Sequence, residues 1–208
     1  MKVLGVDTST ESLTVSVVDE KKSLANYHAI GKLKHSALLV PAIKNALSKS
    51  RIKIGNIGLF SVGIGPGSFT GLRVGVTSVR ALAIALGKPF IGVPGMDAIA
   101  HNGYMYLKRM EPRKPDTVIC PILDAKRKQV YACIYSRSSG KLRRKSKYLL
   151  CPIENLLKRL KGDVLFLGDA VCLYKKQLLN KRTLKASFLE DKRWLPKGDV
   201  IARMGLEK

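Results

Sequence analysis

A chain of 208 residues with 46% hydrophobic and 25% charged side chains is long enough to bury a core in one or two domains, and its composition excludes a disordered or collagen-like polymer. Arg73 and Arg80 interrupt its most apolar stretch, leaving no run of about 18 apolar residues for a membrane-spanning helix. Thirty-eight basic against 15 acidic residues give a net charge of +23, a field suited to polyanionic partners.

The apolar run Val3–Val6 reads as a strand that ends at Asp7 and a polar turn, Asp7–Glu11. So short an apolar block before an acid is no signal peptide, and the cytoplasm is the expected compartment. Leu13, Val15 and Val17 then alternate with Thr14, Ser16 and Val18, the period of a strand. A third strand is expected at Ser23–Ile30, after the charged turn Asp19-Glu20-Lys21-Lys22. His35–Ser50 fits a helix with Leu39, Ile43, Ala46 and Leu47 on one face, at the cost of Pro41 inside it. Ile57–Ile64 has the near-continuous apolar run of a strand buried on both faces. The Gly-rich turn Gly63–Gly71 leads into a helix at Thr70–Leu86, and Phe90–Val93 reads as another buried strand.

After a helix-like stretch and the linker Glu111–Pro115 the pattern restarts. Val118–Leu123 ends in Asp124 as the first strand ends in Asp7; the turn Ala125–Lys128 and the alternating Gln129–Tyr135 follow. A strand at Lys141–Leu150, a helix at Pro152–Leu160 and a strand at Val164–Leu167 come next, and Gly168-Asp169-Ala170 opens another helical stretch. The fold class predicted is α/β, a βββαβα unit used twice with the second copy abbreviated.

The segment Gly65-Pro66-Gly67-Ser68-Phe69-Thr70-Gly71 matches no common phosphate or nucleophile motif. It lacks the Lys of GxxxxGK[ST], has Thr70 where GxGxxG needs its last Gly, and has Pro66 where GxSxG needs its first. As a strand-to-helix turn, Pro66-Gly67 suits the centre of a type II turn, with Ser68 or Thr70 capping the helix. The amides of residues 67–71 then form a candidate anion site, against the plainer reading of glycines that allow close packing.

The helix that follows has only Arg73 and Arg80 as charges. Leu72, Val76, Val79, Ala83 and Leu86 form one apolar stripe, and small or apolar residues cover much of the rest. A helix apolar nearly all round is covered nearly all round, by the sheet on one side and, on the other, by another chain or by this protein's own second lobe, another chain being the expected cover. Asp7 and Asp124 each open a polar turn, and paired carboxylates in a nucleotide-splitting cleft hold a hydrated metal ion. The turns lack the glycines that wrap phosphates: Thr8-Ser9-Thr10 and Ala125-Lys126-Arg127 stand there. The candidate anion or nucleotide site is therefore Asp7, Thr8, Ser9, Gly67, Ser68, Thr70 and Asp124. The four cysteines have no CxxC spacing and the three histidines no HxxxH pair, so reduced thiols and no metal are expected.

Val3-Leu4-Gly5-Val6-Asp7-Thr8-Ser9-Thr10-Glu11, Lys34-His35-Ser36, the run from Gly65 through Leu72-Arg73-Val74-Gly75, Ile91-Gly92-Val93-Pro94, the segment Asp124–Tyr131 and Gly168-Asp169-Ala170 occur together in this order. On these segments the chain resembles the TsaB family, non-catalytic partner subunits of the bacterial tRNA threonylcarbamoyladenosine machinery, in the glycoprotease-like branch of the actin/Hsp70 superfamily. The resemblance implies two RNase H-like lobes of the actin-like ATPase fold, here 1–103 with the partner-binding helices and a trimmed 104–208, shortened around Arg182–Trp194. It implies a complex with a catalytic paralogue and a small P-loop ATPase, which moves threonylcarbamoyl from its adenylate to the exocyclic amine of the adenosine 3′ to the tRNA anticodon. It further implies pairing of the first-lobe helices with the paralogue or, in a homodimer, with a second copy. The expected interface is Leu39, Ile43, Leu72, Arg73, Val76, Val79, Arg80 and Ala83.

The paralogue's metal-binding histidine pair is not matched, because Leu39 stands one turn after His35. No catalytic residue, metal or resident cofactor is expected, with nucleotide binding left open. The positive charge departs from the family and raises tRNA contact through Lys141–Lys147 or Lys126–Lys128. Two enzyme readings stand as alternatives: a nucleotide-dependent phosphotransferase or ATPase using Asp7 and Asp124, and a peptidase, for which no nucleophile–base pair can be assembled.

Overall fold

β1 (Val3–Asp7) and β2 (Ser12–Val18) are buried along their whole length, because helices cover both faces of the sheet they centre. In this computed structural model, which describes residues 1–31, 35–112, 117–138 and 140–208, β1 pairs antiparallel with β2, and β2 with β3 (Ser23–Ile30). β4 (Leu59–Gly63) and β5 (Phe90–Val93) continue the sheet in parallel, giving the order β3-β2-β1-β4-β5. Lys34 of the motif Lys34-His35-Ser36 lies outside the described residues, as do 113–115 of the expected linker.

α1 (His35–Ser50) and α2 (Phe69–Ala85) pack on one face. There Leu4, Val6, Leu13, Val15 and Val17 meet Leu39, Ile43, Ala46, Val79 and Ala83 in one core. Each fully buried Val or Leu contributes about 1.5–3 kcal/mol. The other face carries Gly5, Thr14, Ser16 and Ser61, and is covered by α6 (Gly198–Leu206). Small residues let this helix lie close: a Cβ on Gly5 would sit 2.1 Å from the Gly198 carbonyl oxygen. Its polar groups are matched, since Gly198 N donates to Thr14 Oγ1 at 2.9 Å and Ser61 Oγ to Ile201 O at 2.8 Å.

The first compact unit accordingly comprises Met1–Ala98 and Pro196–Lys208, and the second Ile99–Leu195. The division at residue 103 falls inside α3 (Gly95–Met110) as the observed one does, five residues later, and differs chiefly in that the C-terminal helix returns to the first sheet.

The second unit repeats the first strand order. β6 (Val118–Asp124) is flanked by β7 (Gln129–Ala132) and β11 (Gly162–Leu167), and outside these lie β10 (Leu149–Pro152) and β12 (Leu184–Leu189), in the order β10-β7-β6-β11-β12. The stretch expected to be trimmed thus holds a strand, whose apolar Leu184, Ala186 and Phe188 pack inward between more exposed neighbours. The abbreviation lies in the helices: α4 (Ile153–Leu157) has 5 residues against 16 in α1, while α5 (Ala170–Leu179) has 10 against 17 in α2.

The run Gln129–Tyr135 is two strands, not one. β7 pairs with the end of β6, while β8 (Tyr135–Ser138) pairs with its beginning and with β9 (Lys141–Arg144). The chain breaks at Cys133-Ile134, where Ser146 Oγ accepts from Ile134 N at 2.9 Å and Lys145 N donates to Ile134 O at 2.7 Å. Among the described residues no helix is long and apolar enough to cross a membrane.

Candidate functional site

The β1–β2 turn and the Gly-rich loop before α2 are pressed together. Ser68 N donates to Ser9 O at 2.7 Å, and Thr8 Oγ1 donates to Gly71 O at 2.7 Å. A Cβ on Gly67 would sit 2.0 Å from Ser9 O, on Gly71 2.1 Å from Thr8 O, and on Gly75 2.2 Å from Thr8 Oγ1. At Gly67 and Gly71 backbone meets backbone, and at Gly75 the helix backbone meets the Thr8 side chain. The type II turn centred on Pro66-Gly67 is not formed: the left-handed residue is Gly65, at φ +80°, and Gly67 is not in that region. Ser68 is the cap, its Oγ accepting from Gly71 N at 3.2 Å, and Thr70 is exposed in the first turn of the helix.

The structure therefore brings Asp7, Thr8, Ser9, Gly67 and Ser68 together, with the amides of Ser68 and Gly71 engaged inside the protein. Beneath them Asp7 is fully buried. Its Oδ1 accepts from Ser9 N and Ser9 Oγ, both at 2.9 Å, while Oδ2 has no hydrogen-bond partner among the described residues. Burial pushes its carboxyl up from 3.8 to about 6, against the hydrogen bonds from Ser9 and the nearby His35.

An acid that titrates higher folded than unfolded lowers stability above its folded value, and the loss disappears as pH falls below the unfolded one. That displacement is on the order of 3 kcal/mol. Asp7→Asn is therefore expected to raise Tm at pH 8, with the difference from the parent closing near pH 4. Thermal melts at the two values check this, and a variant less stable at pH 8 would mean that the charge itself is in use.

Asp124, in the second unit, closes its own turn. It accepts from Lys126 N at 2.8 Å and from Lys126 Nζ at 2.6 Å, and the lysine holds its carboxyl below the usual range. Its backbone N donates to Asp169 Oδ1 at 2.8 Å. Asp169, not among the residues expected at the site, has its carboxyl pushed up by burial. Among the described residues, no group of three His, Cys, Asp or Glu side chains is placed to hold a metal ion.

The expected interface divides. Leu39, Ile43, Val79 and Ala83 are between 0% and 4% exposed and belong to the core of the first unit. Leu39, Val79 and Ala83 are not available to a partner, while Ile43 also lines the groove between α1 and α2. Leu72 and Val76 are half-buried, and Arg73 and Arg80 are exposed, with the Arg73 guanidinium 4.0 Å from the centre of the Phe69 ring.

The spacing Gly71-Gly75-Val79-Ala83 faces the sheet, because a helix with small residues on one side can approach most closely there. The outward side carries Ala81, Ile84 and Ala85, with Ile84 69% exposed and Val40 of α1 52% exposed. Between α1 and α2 runs an apolar groove of about 700 Å³, to which Leu47, Ile52, Ala81, Leu82 and Ala85 contribute. The all-round apolar character of α2 was the signal for this surface.

Residues 29–191 match the family described as tRNA N6-adenosine threonylcarbamoyltransferase, TsaD. The chain is 30% identical to the tRNA threonylcarbamoyladenosine biosynthesis protein TsaB of Bacillus subtilis, over all of this chain and 88% of that protein. It is 26% identical to the Escherichia coli TsaB over 67% of this chain and 57% of that one. The solved structure of YeaZ from Pseudomonas aeruginosa superposes with a TM-score of 0.77 at 22% identity, covering 99% of this chain and 91% of the other.

Proposed function

This chain belongs to the TsaB family of tRNA threonylcarbamoyladenosine biosynthesis proteins, and from that membership we propose that it is a non-catalytic subunit which docks on the pathway's catalytic paralogue and activates it. The paralogue transfers threonylcarbamoyl from threonylcarbamoyl-adenylate to the exocyclic amine of the adenosine 3′ to the anticodon. A small P-loop ATPase completes the assembly.

The observation that carries the docking role is the outward side of α2. Ile84 and the neighbouring Ala81 and Ala85 form, with Val40 of α1, an exposed apolar surface beside the groove. Surfaces of this kind are interaction sites in water-exposed proteins. The paralogue is the occupant because it is built alike: the tRNA N6-adenosine threonylcarbamoyltransferase of Thermosipho melanesiensis is 29% identical over 54% of this chain. Two related helix pairs can meet face to face across a pseudo-twofold axis, and a second copy of this chain competes for the same face.

The non-catalytic role is supported at the glycine loop. Thr8 and Ser9 are occupied by backbone contacts of Gly67–Gly71, and Asp7 lies sealed beneath them. A phosphotransferase would need those groups turned toward nucleotide, so that alternative is not favoured.

The test is the mass of the mixture. Light scattering on the chain with its catalytic paralogue is expected to show a one-to-one complex that replaces any homodimer. Separate elution of the two proteins would contradict the proposal.

A further inference from the structure

Residues 125–153 contain nine basic side chains and no acidic one, and the fold gathers most of this charge along one edge of the second sheet. β10 is the outermost strand beside β7, in the register Leu149↔Ala132 to Pro152↔Gln129. That register places two basic clusters at opposite ends of a four-residue strand, about 14 Å apart at the rise of an extended chain.

At the Leu149 end stands the segment from β9 to Tyr148. Ser146 Oγ accepts from Ile134 N and donates to Lys147 O at 2.8 Å, which fixes the loop on the sheet with Arg143, Lys145 and Lys147 exposed around it. At the Pro152 end stands the β6–β7 turn. Lys126, Arg127 and Lys128 there hold left-handed φ values of 63°, 49° and 61°. The turn is closed by Ala125 N donating to Gln129 O at 3.0 Å and Gln129 N to Lys126 O at 2.9 Å. Asp124 takes up Lys126, while Arg127 and Lys128 project into solvent.

Lysines and arginines on an edge strand discourage pairing with other chains, and that accounts for Lys141 and Arg143 on β9. It does not account for the turn, which is a hairpin tip. The exposed ring of Tyr148, 4.7 Å from the Arg144 guanidinium, adds an aromatic surface of the kind that receives unstacked bases.

We propose that this edge, from Arg127 and Lys128 to Lys147 and Tyr148, is a docking strip for the phosphate backbone of RNA; resting on the function proposed above, the RNA is the tRNA substrate. Binding of this kind is salt-dependent and indifferent to sequence.

The test uses the full chain and a tRNA transcript, with affinity followed by fluorescence anisotropy across a salt series. The variant Arg143→Gln/Lys145→Gln/Lys147→Gln is set against the equal-charge control Lys21→Gln/Lys49→Gln/Lys53→Gln, all six residues being exposed. The strip variant is expected to bind about tenfold or more weakly, with the slope of log affinity against log salt reduced by about 2. The control is expected to change by less than about twofold. Equal weakening of both variants, or no tRNA binding by the parent at low salt, would overturn the strip. So would tighter, strip-dependent binding to phosphatidylserine vesicles than to tRNA. Strip-dependent tRNA binding in a chain that threonylcarbamoyl transfer does not require would uphold the strip and remove the proposed function instead.

Discussion

Ile84→Glu is expected to abolish association with the catalytic paralogue and with a second copy, while leaving the chain folded. Ile84 is 69% exposed on the outward side of α2, so a charge there remains solvated and changes stability by no more than about 0.5 kcal/mol. Placed at the centre of a desolvated interface, the same carboxylate has no partner and costs several kcal/mol, or about a hundredfold or more in affinity. Val79→Glu gives the opposite pattern. Val79 is fully buried against the sheet, and an unpaired carboxylate there is expected to cost about 4 kcal/mol or more, a large share of a domain's stability. Circular dichroism and light scattering on both variants separate the cases. A folded Val79→Glu chain that has lost its partner would move the interface to the face assigned here to the core.

Arg137→Met is expected to destabilise the second unit by about 3 kcal/mol and to lower its melting temperature by several degrees. Arg137 is 7% exposed, and its guanidinium ties β8 to the C-terminal end of α3. Nη1 donates to Leu107 O at 3.2 Å and Glu111 O at 2.8 Å, and Nη2 to Pro112 O at 2.8 Å. Leu107 O already accepts from Glu111 N at 2.8 Å, whereas the Glu111 and Pro112 carbonyls lie just past the helix, at the negative end of its dipole, where a buried cation is favourable. Methionine fills the volume and removes the charged donor from the Glu111 and Pro112 carbonyls, while Leu107 O keeps its bond from Glu111 N. Lysine at 137 would restore the charge but only part of the geometry, and should recover part of the loss. An Arg137→Met protein as stable as its parent would mean that water or neighbouring groups serve those carbonyls equally well.

The succession of strands and helices along the first unit, and its restart at Val118, was readable from apolar runs ending in Asp7 and Asp124, because strands buried on both faces leave few other patterns. What escaped the sequence has specific causes. The alternation of Thr14 and Ser16 with valines marks the two faces of a strand, but that α6 covers the polar one, through contacts 184 residues apart in the chain, is recorded by no local period. Val79 and Ala83 stand in the expected interface, yet they share the side of α2 that bears Gly71 and Gly75, and the sheet takes that side, where Thr8 leaves no room for a Cβ. In the second unit, Lys185 between Leu184 and Ala186 hid the edge strand β12, and the Ser146 plug at Ile134 divided what read as one strand.

The candidate anion site was legible as residues but not as chemistry. Its glycines permit contact with Thr8 and Ser9, a use that a list of glycines cannot distinguish from a phosphate cradle. Asp7 was correctly placed at a strand end, yet its complete burial comes from residues more than fifty positions away, Gly63 among them.

Threonylcarbamoyl transfer to tRNA, reconstituted from the catalytic paralogue, the P-loop ATPase and threonylcarbamoyl-adenylate, is the most direct measurement. Transfer is expected to require this chain, to be absent with this chain alone, and to be lost with Ile84→Glu. Transfer at the same rate with and without the chain would contradict the activating role proposed for it.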